Sequence, residues 1–186
     1  MENYRLIPHS WHPSGLLLTL ALFLGLLGVA HAQPAYLPLS GEAADRLAIK
    51  DLIDAYGHDA DRREAENQAA LFTADGILEN IHTEPGREKE TTMLRGYKEL
   101  VAGFATLKKF EVTMHVNGQS TIAIRGDSAT GETYCLAHHI FMDNGKRVLM
   151  IMGIRYYDTI VRLNGHWLFA KRQLNFDWVD RKPLNP

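Results

Sequence analysis

A single cysteine, Cys135, rules out an internal disulfide, so a stable fold must rest on its core. Positive charge is not in surplus: 20 Lys and Arg stand against 22 Asp and Glu, a formal net charge of −2. No basic face or charge run is there to attract nucleic acid, so none is expected as a partner. The chain also lacks a glycine-rich phosphate loop, a dinucleotide fingerprint, a nucleophile elbow, an HExxH motif and paired cysteines. Without those motifs no cofactor and no metal is expected. Adjacent His138 and His139 would point to opposite faces of a regular strand, so they cannot chelate one ion together.

Long apolar runs are confined to the start. Gly15 to Val29 is uncharged and apolar, follows a weakly basic stretch with Arg5, and leads to Ala30-His31-Ala32. About 15 residues is short for a membrane span, and the small-x-small ending is a cleavage signature. Residues 1–32 read as a signal peptide cut after Ala32, which implies a periplasmic or secreted protein with no stable membrane insertion after cleavage; the rival reading is an uncleaved anchor. Residues 33–41 hold two prolines and form a leader. After the leader comes one domain, 42–178, with a tail at 179–186; about 150 residues can bury a sufficient core.

Within that domain, Leu47, Ile49, Leu52, Ile53 and Tyr56 recur at helical spacing, and the helix is expected to end near the cluster Asp59 to Arg63. A short helix over 64–72 and a turn at Ala74-Asp75-Gly76 come next. Residues 77–81 read as a strand, 83–95 as a loop or ragged hairpin around Pro85-Gly86, and 96–109 as a helix. The remainder is β-patterned. Its turns are Arg125 to Ser128, Asp143-Asn144-Gly145 and Asn164-Gly165, the last two being Asn-Gly hairpin signals. Helices followed by long meandering strands predict an α+β fold with a curved antiparallel sheet wrapped round the helices. The longest strand is apolar on both faces, so a second copy of the chain is expected to cover one of them, giving a homo-oligomer.

Four side chains could move protons: Asp61, His115, Tyr56 and His138. Each also has a plain reading. Asp61 can be a helix-end charge, Tyr56 a core residue on the apolar stripe, and the two histidines satisfied strand residues. Tyr56 and Asp61 lie about 140° apart round an ideal helix, so they converge only if the helix unwinds first. Strand alternation puts His115 with Thr113 and Asn117, and His138 with Tyr134, Leu136 and Ile140. His58, His139 and His166 read as surface or structural residues, and Cys135 as a small buried hydrophobe. Phe104, Phe110, Met150, Met152, Tyr156 and Trp178 are the expected lining of an apolar pocket.

The stretch Ile49 to Tyr56 followed by Asp61-Arg62, then Leu71-Phe72-Thr73-Ala74-Asp75-Gly76, Ala129 to His139, and Gly153 to Asp158 with Asn164 to Arg172, resembles the SnoaL-like proteins. These belong to the nuclear-transport-factor-2-like superfamily, with scytalone dehydratase, ketosteroid isomerase, bile-acid dehydratase and hexachlorocyclohexane dehydrochlorinase. The resemblance implies a cone-shaped barrel: a strongly curved sheet around N-terminal helices, enclosing a ligand pocket. It implies that Asp61 orients a catalytic His115, that Tyr56 is the helix tyrosine of the bile-acid dehydratase type, and that His138 is the second pocket histidine of the scytalone dehydratase type. Ile154 and Tyr156 stand where the latter has serine and asparagine, and Ala137 where the former has a pocket aspartate, so neither substrate is expected.

The implied activity is a cofactor-independent lyase or isomerase: dehydration, isomerisation or cyclisation of an apolar, carbonyl-containing molecule. An imidazole held by a carboxylate is an available base at neutral pH. The alternatives are a non-catalytic binder of an apolar small molecule and an assembly module of the dioxygenase small-subunit kind. The expected partners are that small molecule and further copies of the chain, as a dimer or trimer.

Overall fold

The computed structural model describes residues 40–184, apart from 84, 85 and 87. The expected signal peptide, most of the leader, Pro85 of the expected loop and the last two residues lie outside that set. Among the described residues no helix is long and apolar enough to cross a membrane.

Helix α1 spans Glu42–Arg62, because Ile49, Leu52, Ile53, Tyr56 and Ala60 fall on one stripe and are buried there. It runs through Asp61 and ends at Arg62, inside the cluster Asp59 to Arg63 where its end was expected. Arg63 stops it in the left-handed region at φ 61°, its N–H bonded to the Ala60 carbonyl. Then come α2 (Ala65–Ala70), β1 (Phe72–His82), β2 (Glu90–Arg95), α3 (Gly96–Ala105) and a 3₁₀ turn at Thr106–Lys109. Strands β3 (Val112–Arg125), β4 (Ser128–Asp143), β5 (Lys146–Leu163) and β6 (His166–Pro183) complete the chain.

The six strands form one curved, unclosed sheet in the order β2-β1-β6-β5-β4-β3. Pairing is antiparallel except between β1 and β6, which run parallel. Asn144-Gly145 and Asn164-Gly165 turn the last two hairpins with positive φ at all four residues, as two-residue type I′ turns require. Residues 90–95 are an edge strand paired antiparallel with β1, which is the hairpin of the two alternatives read for 83–95. One segment differs from expectation. Residues 175–183 are strand too: β6 stays paired with β5 as far as Val148 and Pro183, across irregularities at Gly153/Ile154 and Thr159/Ile160.

The helices pack on the concave side, α1 against β3 and β6, and α3 against β1 and β2. Ile49, Ile53, Leu100, Ile160 and Phe169 are fully buried between the layers, each worth about 1.5–3 kcal/mol of burial. Arg172 and Asp158, also fully enclosed, pair through two hydrogen bonds of 2.8 and 2.7 Å. The Arg172 guanidinium lies 4.1–4.4 Å from the ring centres of Phe169, Tyr56 and Tyr156, where cation–π attraction offsets part of its lost hydration.

Cross-strand register sets the rows that matter for the site. Thr113, His139, Met150 and Arg181 are aligned across β3–β6, and His115, Ala137, Met152 and Val179 form the next row on the same face.

Candidate functional site

The site begins where α1 meets β3. Gly57 has no side chain at the contact; a Cβ there would approach the Cβ of His115 to 3.3 Å. That closeness lets Asp61, one turn later, reach the strand. Its Oδ2 accepts the backbone N–H of His115 at 2.9 Å, and its Oδ1 lies 2.7 Å from His115 Nδ1. Two bonds from one carboxylate fix both the strand and the ring. Burial opposes ionisation of Asp61 most strongly, but the His115 side-chain and backbone hydrogen bonds outweigh it and hold the carboxyl below its ordinary range. An ionised Asp61 accepts the proton on Nδ1, which leaves Nε2 of a neutral His115 with its lone pair.

His115 opens onto a cavity of about 540 Å³. Phe104, Phe110, Met150, Met152 and Tyr156 line it, together with Leu78, Leu94, Ile154, Leu174 and Val179. Tyr56 lines it too, although the continuous helix aims Tyr56 and Asp61 in different directions. The Tyr56 ring makes edge contacts with Phe72, Phe104, Tyr156 and Phe169. Burial pushes its phenol well above the ordinary value, against the opposing pull of Arg172. Such a phenol keeps its proton and serves as a donor, not as a base.

Two expected residues are elsewhere. Trp178 is not in this cavity. It is 44% exposed and lies over Gly153 in a separate groove, with Val116, Tyr134, Leu136 and Arg155. His138 does not line the cavity either; its neighbour His139 does. On β4 the inward parity belongs to Thr133, Cys135, Ala137 and His139, all buried, while Tyr134 and Leu136 are exposed. Cys135 is the buried residue expected of it, and burial pushes its thiol up.

His139 is the residue that sequence reasoning missed. It is only 6% exposed, and neither ring nitrogen has a hydrogen-bond partner. Its ring lies 4.3 Å from Phe110 and 5.5 Å from His115, centre to centre. Burial first, then the nearby charge of His115, with Lys109 and Arg63 adding to it, lowers its pKa to about 3. It is therefore neutral at ordinary pH, with one donor and one acceptor nitrogen. The usable signal was the run of small residues on its own parity, Ala129, Cys135 and Ala137: small inward side chains leave room for a cavity.

Arg63 closes the corner. Its guanidinium donates to the carbonyls of Asp61, Phe110 and Glu111, tying the end of α1 to the segment before β3. Among the described residues no three His, Cys, Asp or Glu side chains converge as a metal site.

A SnoaL-like domain model matches residues 41–173, which includes every element that builds this cavity except the end of β6. The chain belongs to the SnoaL-like family. Its fold is that of the nuclear-transport-factor-2-like superfamily. An uncharacterized protein of Mycobacterium tuberculosis is 25% identical over 131 residues, covering 70% of this chain and 84% of the relative. A provisionally assigned scytalone dehydratase from Novosphingobium aromaticivorans superposes with a TM-score of 0.63 at 21% identity, over 77% of this chain and 91% of the other. A type 2 hexachlorocyclohexane dehydrochlorinase gives 0.60 at 18%, over 77% and 90%. At these identities the likeness carries the SnoaL-like fold, and the chemistry must be argued from the side chains.

Proposed function

We propose that this SnoaL-like protein is a cofactor-independent lyase or isomerase acting on an apolar, carbonyl-containing small molecule. The observation that carries the reading is the 2.7 Å contact between Asp61 and His115 at the wall of an apolar cavity. In this mechanism His115 Nε2 takes a proton from the carbon next to the carbonyl. Asp61 stabilises the resulting imidazolium through Nδ1 and keeps its own proton count unchanged. Charge grows on the carbonyl oxygen, and a donor in a water-poor site stabilises it. His139, not His138, and Tyr56 are the donors for that role. The imidazolium then returns the proton to another carbon or to a leaving hydroxyl, completing isomerisation or dehydration; cyclisation would use the same carbanion.

The test is α-proton exchange of 2-tetralone in D₂O, followed by NMR. The wild-type chain is expected to accelerate exchange, and His115→Gln and Asp61→Asn to abolish the acceleration. Equal rates for all three proteins would refute the reading. A second reading, a non-catalytic binder, has one observation in its favour: apolar and aromatic side chains dominate the wall. Retention of a small molecule with no turnover would select it.

The protein is further proposed to be exported, with cleavage after Ala32, and to form a dimer or trimer. Exposed Met114, Val116, Tyr134, Leu136 and Trp178 on the outer side of the sheet support assembly. Intact mass and light scattering of the protein from its own cell envelope test both: a full-length mass or a monomer contradicts the corresponding claim.

A further inference from the structure

Charge is distributed one-sidedly round the cavity. The chain has more acidic than basic residues, yet no Asp or Glu lines the cavity wall, while Lys109 and Arg181 both do. Both are exposed, so they sit where the wall meets water. Among the described residues neither is within ion-pair distance of a carboxylate. Elsewhere among the described residues Arg46, Arg62, Arg147, Arg155 and Arg162 each hold an acidic partner.

The two rim cations are tied to the site by different elements. Lys109 ends the 3₁₀ turn and its ammonium is 5.0 Å from the centre of the Phe110 ring, which in turn packs on His139. Arg181 lies near the end of β6, in the row of Met150 and His139, one row from the row of His115. Two residues along a strand is roughly 7 Å. The path from Arg181 inward therefore crosses Met150 and Met152 before it reaches the imidazole of His115. His82, stacked on Phe176 at 4.2 Å, faces the same cavity. Glu90 lies opposite it in the β1–β2 register, so that stretch of the rim is not a purely positive one.

We propose that the ligand of this cavity is an amphipathic carboxylate: an apolar carbon body enclosed among Phe104, Met150, Met152 and Leu174, with its carboxylate held at the rim by Lys109 and Arg181. The inference rests on the reading of this cavity as the substrate site and adds the class of substrate. Two cations where the wall meets water, with no carboxylate on the wall itself, raise the local concentration of anions and orient them head outward. Orientation follows from charge as well. An anion placed inward would meet Asp61 behind His115; placed outward, it leaves the C–H bond to be broken at the imidazole.

The test compares 1-naphthaleneacetate with its neutral amide, 1-naphthaleneacetamide, by calorimetric titration of the full chain at low salt. The two probes share an apolar body and differ in charge. The carboxylate is expected to bind at least tenfold more tightly, and the Lys109→Met, Arg181→Met double variant to remove that preference while leaving amide affinity unchanged. His115→Gln is expected to keep the preference. Equal affinity for the two probes, parallel weakening of both in the double variant, or no binding of the carboxylate overturns the proposal. Loss of the preference in His115→Gln alone also overturns it, because the anion would then sit at the imidazole. A retained preference with no α-proton exchange defeats the catalytic reading only.

Discussion

His115 and His139 face one cavity with their rings 5.5 Å apart and inclined at 65°, but only His115 has a carboxylate against it. Two imidazoles in one wall are thereby made chemically unlike. One is oriented by Asp61 with a nitrogen left for a proton; the other is desolvated, neutral and without a partner. Pairs of titratable groups pushed apart by their surroundings are how one site holds a base and a hydrogen-bond donor together.

That difference predicts distinct variant effects. Asp61→Asn and His115→Gln should lower turnover by roughly 10²–10⁴-fold, the usual contribution of a positioned general base. His139→Ala should cost on the order of 10²-fold as a lost donor to developing charge. His138→Ala should leave the rate within about twofold. Exchange rates on one ketone, measured side by side, check all four; a severe loss in His138→Ala with none in His139→Ala would reverse the assignment of the two residues.

His139 should also leave a mark on stability. Its folded pKa, about 3, lies below the ordinary imidazole value. The unfolded chain therefore binds a proton there at a pH where the folded chain does not. Stability is full above about pH 6.5 and falls as pH drops from there toward 3, by at most about 5 kcal/mol. Asp61 adds loss at lower pH: its carboxyl is depressed on folding, so its contribution is present above the ordinary carboxylate range and disappears as pH falls through the folded value. Urea unfolding at a series of pH values should show a shallower slope between pH 6.5 and 4 in His139→Gln than in wild type. Identical slopes would mean that His139 is protonated in the native state.

The Arg172–Asp158 pair gives a stability prediction independent of the site's chemistry. Arg172→Met leaves the Asp158 carboxylate enclosed with no cation and should cost about 3–5 kcal/mol. Arg172→Met with Asp158→Leu should recover much of that loss, because both charges are gone and the volume is kept. Chemical denaturation of the single and double variants decides it. A double variant as unstable as the single would show that the aromatic cage needs the guanidinium itself.

Gly76 tests the packing of β1. A Cβ there would come within 2.8 Å of Phe72 Cβ and 3.0 Å of the Thr73 carbonyl oxygen, neither of which can swing aside. Gly76→Ala should destabilise by about 1–3 kcal/mol. Gly126→Ala, at a turn with nothing within 4 Å but φ of 59°, should cost less, on the order of 1 kcal/mol. Thermal unfolding of the two variants gives the comparison.

Much of this site was legible from residue order alone. The parity of Thr113, His115 and Asn117 is a property of any regular strand, and the two Asn-Gly turns mark where β5 begins and ends. Three things were not legible, each for a local reason. The cluster Asp59 to Arg63 suits a helix end as well as a last turn, and only the left-handed Arg63 with its three carbonyl contacts settles which. The segment after Asn175 carries Trp178 and Pro183 and lacks clean alternation, but the length of β5 draws it into the sheet. On β4, Tyr134 and Leu136 are the large apolar residues, so hydrophobicity suggests their face is inward. The structure turns the small residues inward instead, because the concave side must accommodate α1 and a cavity, and Tyr134 and Leu136 face outward with Trp178.

The central claim is that Asp61 holds His115 in one tautomer, with Nε2 unprotonated toward the cavity. Long-range ¹H–¹⁵N NMR of ¹⁵N-histidine-labelled protein at pH 7.5 measures this without knowledge of the substrate. A single His115 tautomer protonated on Nδ1 is expected, replaced by tautomer averaging in Asp61→Asn. A His115 protonated on Nε2, or already averaging between tautomers in the wild-type protein, would contradict it.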